Sequence, residues 1–160
     1  SNIIMAANQA ADVTEDKDII VLPTTSIPQG LSACIGFNPE ADAETNRESM
    51  MDAVSAVTTG SITYAIKDTT VDGIEIHDGD YMGIMNKDIV VTGKEMLETA
   101  KGLIDKLCDE DSEIITLIKG EDATEEDVNA LEAYINDNYD VDVDIEDGGQ
   151  PVYCFIIGVE

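Results

Sequence analysis

Apolar residues recur along this chain with two different periods, and the switch between them divides it. Near the start, Ile3, Ile4, Ala7, Ala10 and Ala11 share one face at helical spacing, with Asn2 placed to cap the helix. Ile19-Ile20-Val21-Leu22 is apolar on both faces and stops at Pro23, the pattern of a central strand in a parallel sheet. A polar loop over 24–29 leads into a short apolar helix over 30–37. A longer helix follows over 43–57, burying Met50, Val54 and Val57 and turning Glu44, Arg47, Glu48 and Asp52 to solvent.

From Gly60 the period becomes two. Ile62, Tyr64 and Ile66 alternate with polar or small residues, and Ile74-Glu75-Ile76 repeats the pattern. Turn chemistry at His77-Asp78-Gly79-Asp80 and Asn86-Lys87-Asp88 flanks an apolar stretch over 81–85, and Ile89 to Val91 follow; together these predict an antiparallel meander. Met96, Leu97, Ala100, Leu103, Ile104 and Leu107 then form one stripe of a helix over 94–108. A strand at 114–118 precedes a helix capped by Thr124, with Asp127 completing an aspartate version of the capping box. Val128, Leu131, Tyr134 and Ile135 face inward from it. Val141, Val143 and Ile145 alternate with acids, and 152–159 is an apolar last strand. The order predicts an α/β protein in two lobes: residues 1–58 are a partial first lobe with a parallel sheet, and 59–160 a second lobe. Because the chain opens on a helix with no strand before it, we expect a fragment whose upstream strands belong to a longer protein.

Composition narrows the function. Thirty-five Asp and Glu against eight Lys and Arg give a net charge of −27 over 160 residues. So few cations, with no cluster, exclude nucleic acid as a partner and disfavour an anionic membrane surface. No apolar run approaches the roughly 18–20 residues that span a bilayer, and no signal-peptide pattern leads the sequence. Cys34, Cys108 and Cys154 are odd in number and outside metal-ligand spacing, so they read as reduced, buried thiols of a cytoplasmic protein.

Few residues carry candidate chemistry. The acids from Asp140 to Glu146 resemble the start of a calcium loop, but the frame fails. Counting from Asp140, Ile145 stands where Gly is needed and Pro151 where Glu is needed. They read as the wet face of a strand, and no metal site is expected. His77 is the single histidine; it sits in a turn, with no nucleophile motif to serve. No phosphate-binding glycine loop exists, so no catalytic residue is assigned. The best candidate is the loop after the first predicted strand. Hydroxyls of Thr24, Thr25 and Ser26, with Gln29, Gly30 and the N–H groups of a helix start, can hold a carboxylate, or the Ser and Thr can simply cap the helix.

Several stretches together resemble one family. They are residues 2–11 (Asn-Ile-Ile-Met-Ala-Ala-Asn-Gln-Ala-Ala), 21–31 (Val-Leu-Pro-Thr-Thr-Ser-Ile-Pro-Gln-Gly-Leu) and 37–42 (Phe-Asn-Pro-Glu-Ala-Asp). Residues 59–69 (Thr-Gly-Ser-Ile-Thr-Tyr-Ala-Ile-Lys-Asp-Thr), 72–76 (Asp-Gly-Ile-Glu-Ile) and 148–153 (Gly-Gly-Gln-Pro-Val-Tyr) complete the set. In this order they are similar to the C-terminal region of dihydroxyacetone-kinase-like catalytic subunits of bacterial fatty acid kinase. The resemblance implies a two-lobed DegV-like fold, truncated in its first, parallel lobe and mixed in its second. It implies that ATP and magnesium belong to a kinase domain outside this chain, so that no cofactor binds here. It also implies a DegV-like fatty-acid-binding carrier protein as partner, and a homodimer is a further expectation. In such carriers a Ser/Thr–Gly loop holds the lipid carboxylate; Thr25, Ser26, Gln29 and Gly30 stand in the corresponding loop, although Ile27-Pro28-Gln29 departs from the carriers' Leu-Ser-Gly type of sequence. The leading expectation is a non-catalytic domain for carrier-protein docking or for assembly of the kinase from its subunits. A fatty-acid or small-carboxylate binding module is the alternative, and a hydrolase using His77 the weakest.

Overall fold

The computed structural model describes residues 1–160 and groups them into two units, Ser1–Val57 and Thr58–Glu160. In the first, helix α1 (Asn2–Asp12) is capped by Ser1, whose hydroxyl accepts the Ile4 N–H at 3.4 Å. The expected cap, Asn2, is the first helical residue instead, because the residue before it already supplies an acceptor. No residue of α1 is buried, and Ile3 is 81% exposed. The apolar stripe is present but only partly covered: Ile4, Ala7 and Ala11 are half-buried, and Ile3 and Ala10 are exposed.

The strand expected at 19–22 is also corrected: the segment pairs with nothing. A strand's N–H and C=O groups point sideways and need a neighbouring strand. All strands of the chain lie in the second unit, so no parallel first-lobe sheet forms among these residues.

Helix α2 (Ile27–Ile35) starts earlier than the expected Gly30. Ser26 provides the cap, and Pro28 is tolerated in a first turn, where its missing N–H costs nothing. Its buried face is Pro28, Ser32 and Ala33, which leaves Cys34 exposed, contrary to the expected buried thiol. Helix α3 (Ala43–Ala56) is capped by Asp42 and ties down the preceding loop through a buried asparagine. Asn46 accepts the Asn38 N–H at 2.7 Å and donates to the carbonyls of Asn38 and Ala41 at 2.8 and 3.2 Å.

The second unit opens with β1 (Thr58–Tyr64), β2 (Thr69–Val71), β3 (Ile74–Ile76), β4 (Tyr81–Met85) and β5 (Asp88–Gly93). After α4 (Met96–Leu107) come β6 (Ile114–Lys119), α5 (Glu125–Asn138), β7 (Asp142–Asp147) and β8 (Tyr153–Val159). One mixed sheet runs β5-β4-β1-β8-β6-β7, antiparallel throughout except for β6 and β7. Those two are joined through α5, the crossover that a parallel pair requires. The expected meander is interrupted: β2 and β3 leave the sheet as a separate ribbon, turned by Asp72 and Gly73 with φ of +50° and +82°.

The core explains the topology. β8 carries Cys154, Phe155, Ile157 and Val159, all buried, because it lies inside the sheet with strands on both sides. Helix α4 lays Ala100, Leu103, Ile104 and Leu107 on the sheet, close enough that a Cβ on Gly60 would sit 2.5 Å from Leu107 Cδ1. Helix α5 adds Val128, Leu131 and Ile135, and its Thr124–Asp127 capping box forms as the sequence predicts. β7 is an edge strand with Val143 half-buried and Asp142, Asp144 and Glu146 exposed; Ile145, expected inward, is exposed as well.

Candidate functional site

The loop before α2 brings its candidate residues together, and they bond to one another. Ser26 Oγ accepts the Gln29 N–H at 3.3 Å, while Gln29 Oε1 reaches back to accept the Thr25 N–H at 2.9 Å and its hydroxyl at 3.1 Å. This is a capping box displaced by one residue, with glutamine as the returning acceptor. The Gly30 N–H donates to Ser26 O at 3.2 Å, and the Thr24 N–H to Leu22 O at 2.8 Å. Pro28 has no N–H to offer. The groups that could grip a carboxylate are therefore largely engaged in starting the helix.

The Gly30 N–H is engaged too, but the space beside its Cα is open. A Cβ there would meet no atom within 4 Å, and its φ is not in the left-handed region, so neither packing nor backbone demands glycine. The first unit also has a cleft of about 280 Å³, lined by Asp18, Ile20, Leu22, Phe37, Asn46 and Arg47 among others; none of the five loop residues lines it. Beside the loop, α2 shows solvent a stripe at four-residue spacing: Ile27, Leu31 and Ile35 are 50%, 44% and 83% exposed.

His77 is exposed in its turn. Its ring lies 3.8 Å from Asp68 and makes no hydrogen bond to a hydroxyl or thiol. The turn is ordered by Asp80 instead, a buried carboxylate that accepts the His77 N–H at 2.9 Å and pairs with Lys94. The Lys94 ammonium, then the His77 N–H, hold the Asp80 carboxyl below the usual aspartate range. No group of three His, Cys, Asp or Glu is arranged to hold a metal.

Two clusters of the second unit have no signature in the sequence. Asp105 on α4 accepts the hydroxyls of Tyr134 and Tyr139 at 2.7 and 2.6 Å, joining α4 to α5. At one end of the sheet a cleft of about 360 Å³ is lined by Tyr64, Gly79, Tyr81, Asp122 and Cys154. Its residues come from four separate stretches, so no local spacing announces it.

The α/β architecture has solved counterparts. A DegV family protein of Corynebacterium glutamicum superposes with a TM-score of 0.62 at 16% identity, over 98% of this chain and 69% of that one. A DegV family protein of Ruminococcus gnavus, whose structure is described with vaccenic acid, gives 0.60 at 13% identity, over 98% and 65%. These define a DegV-like fold. The family model for the C-terminal region of the fatty acid kinase A-like subunit, the FakA-like C-terminal family, matches residues 1–160, and the chain belongs to that family. It is 44% identical to protein YloV of Bacillus subtilis over its whole length, and 41% identical to an uncharacterized protein of Staphylococcus aureus strain USA300 over 99% of it. It spans 29% of the length of each of these relatives. No helix is long and apolar enough to cross a membrane.

Proposed function

We propose that this C-terminal domain is a non-catalytic platform on which a DegV-like fatty-acid carrier docks against its parent kinase subunit. The observation that carries the reading is the exposed Ile27–Leu31–Ile35 stripe of α2. An apolar row on an ordered helix is the kind of surface that protein partners cover. The engaged hydroxyls beside it support docking over ligand capture. ATP, magnesium and phosphoryl transfer belong, on this reading, to the rest of the parent protein, and the apolar 19–22 segment pairs with its strands. Calorimetric titration of the cognate carrier into this chain should show binding, lost on Ile35→Glu. Absence of binding, together with a parent kinase unharmed by deleting this region, would exclude the reading.

A second reading rests on Gly30. Open space beside a capped helix start leaves room for a small carboxylate or fatty-acid head group near Ser26. It predicts lipid recovered with the purified parent protein and lost on Ser26→Ala. Lipid-free parent protein removes it.

A further inference from the structure

β1, β6 and β7 all end at the side of the sheet that holds the 360 Å³ cleft, and β4 and β8 begin there. Tyr64 and Tyr81 stand opposite each other on β1 and β4, half-buried, and neither hydroxyl is bonded to another protein group. Residues so paired have Cβ atoms about 5 Å apart, so the two rings make one wall. Asp122, exposed, stands on the loop between β6 and α5.

The charge around this cleft is negative. No lysine or arginine lines it, and two of the lysines at this end are committed, Lys94 to Asp80 and Lys119 to Glu125 at 2.6 Å. The α5 N-terminus would ordinarily attract an anion. Here the Thr124–Asp127 box closes it, and Glu125, Glu126 and Asp127 fill its first turn. Burial raises the pKa of Tyr81 above the ordinary tyrosine value, and Cys154, Glu95, Asp122 and Asp127 push it the same way.

The walls are also fixed in place. The Gly120 N–H donates to Cys154 O at 2.8 Å, and the Thr63 hydroxyl to Val152 O at 2.8 Å. Val152 is held at φ +72°, a conformation a β-branched residue adopts only when its surroundings enforce it.

Two aromatic faces, a carboxylate at the rim and no cation in the lining suit a planar organic cation. A guanidinium stacks on rings and forks to a carboxylate, whereas an ammonium does only part of this. We infer that this cleft receives an arginine side chain of the docking protein, with Asp122 pairing its guanidinium and Tyr64 and Tyr81 stacking against it. The source of the arginine rests on the docking reading; the chemistry of the cleft does not.

The test has two arms. In the first, the cognate carrier is titrated calorimetrically into wild type, Asp122→Lys, Tyr81→Leu and Asp142→Lys. Asp142 lies at the start of β7, at the other end of the sheet, and is also exposed. Asp122→Lys should weaken binding about tenfold and Tyr81→Leu about fivefold, while Asp142→Lys stays within about twofold. In the second arm, N-acetyl-arginine amide is titrated while the Tyr64 and Tyr81 ring resonances are followed by NMR. Both should shift in wild type and stay still in Asp122→Lys. Equal losses from the two aspartate variants, or unmoved rings, overturn the inference. Ring shifts without carrier binding support the cleft and end the docking reading. Carrier binding that Asp122→Lys leaves unchanged does the reverse. Because Asp122 is exposed, its substitution leaves the core intact, and Asp122→Asn gives a milder check.

Discussion

The two units of this chain both carry amphipathic helical patterns in sequence, and those helices end differently in the structure. Thr58–Glu160 holds the whole of the main core, from Ile62 through Leu103 and Leu131 to Val159. Ser1–Val57 buries only Ala33, Val54 and Val57 among its apolar side chains other than Pro28, and leaves Ile3, Ile19, Ile20, Ile27, Leu31, Ile35 and Phe37 exposed. Both have amphipathic helices and well-formed caps. The second has a sheet for its helices to cover; the first does not. Helical pattern and capping thus make elements, but burial of apolar surface is what makes them stable.

The sharpest way to break that contrast is truncation on each side of it. Leu103→Ala, at a fully buried position of α4, should cost about 2–5 kcal/mol in urea unfolding of the second unit. Leu31→Ala, on the exposed side of α2, should stay within about 0.5 kcal/mol. Similar losses at both would mean that the α2 stripe is covered in the isolated chain.

Next in size is the close approach at Gly60. Gly60→Ala forces a Cβ against the Leu103 and Leu107 side chains and should cost about 1–3 kcal/mol by overpacking, read from the same urea unfolding.

The joint between α4 and α5 gives a pH readout. The Asp105 carboxylate, with burial second, pushes the Tyr134 hydroxyl up from 10.0 to about 12. A group whose folded pKa is raised contributes stability in full below its unfolded value, and loses it as pH rises through the folded one. The second unit should therefore weaken between pH 10 and about 12 as tyrosinate forms. Asp105→Asn should bring the Tyr134 titration back toward 10, followed by tyrosinate absorbance. An unchanged titration would show that Asp105 does not hold the two helices together.

The smallest effect is expected at Gly30, the opposite case to Gly60. With open space and an ordinary helical backbone, Gly30→Ala should stabilise the first unit by about 0.4–1 kcal/mol. If it also leaves carrier binding intact, nothing approaches that turn closely. A loss of binding would point to a contact the glycine is kept for.

How much of the molecule is legible in its sequence follows the same division. Helices α4 and α5 are legible because a six-residue stripe and a Thr-x-x-Asp cap specify them locally, and β8 because an unbroken apolar run suits a strand enclosed on both sides. The 19–22 run has the same character and forms no strand here, because pairing is a property of two segments and periodicity describes one. Cys34 departs from its expected burial for a related reason: an apolar helix predicts burial, but α2 has cover on one face only. The loop at 24–30 is legible as hydroxyls before a helix, and the structure adds that Gln29 is the acceptor that closes it. The cleft of Tyr64, Tyr81, Asp122 and Cys154 is not legible, since only the sheet order brings β1, β4, β8 and the β6–α5 loop together.

The central claim is that the uncovered α2 surface is a place for another protein. Hydrogen–deuterium exchange of this chain, alone and with its cognate DegV-like carrier, tests it most directly. Carrier addition should slow exchange at the α2 amides and leave the Leu103–Phe155 core unchanged. Carrier that binds and protects only other surfaces, with α2 exchanging as fast as in the free chain, would contradict it.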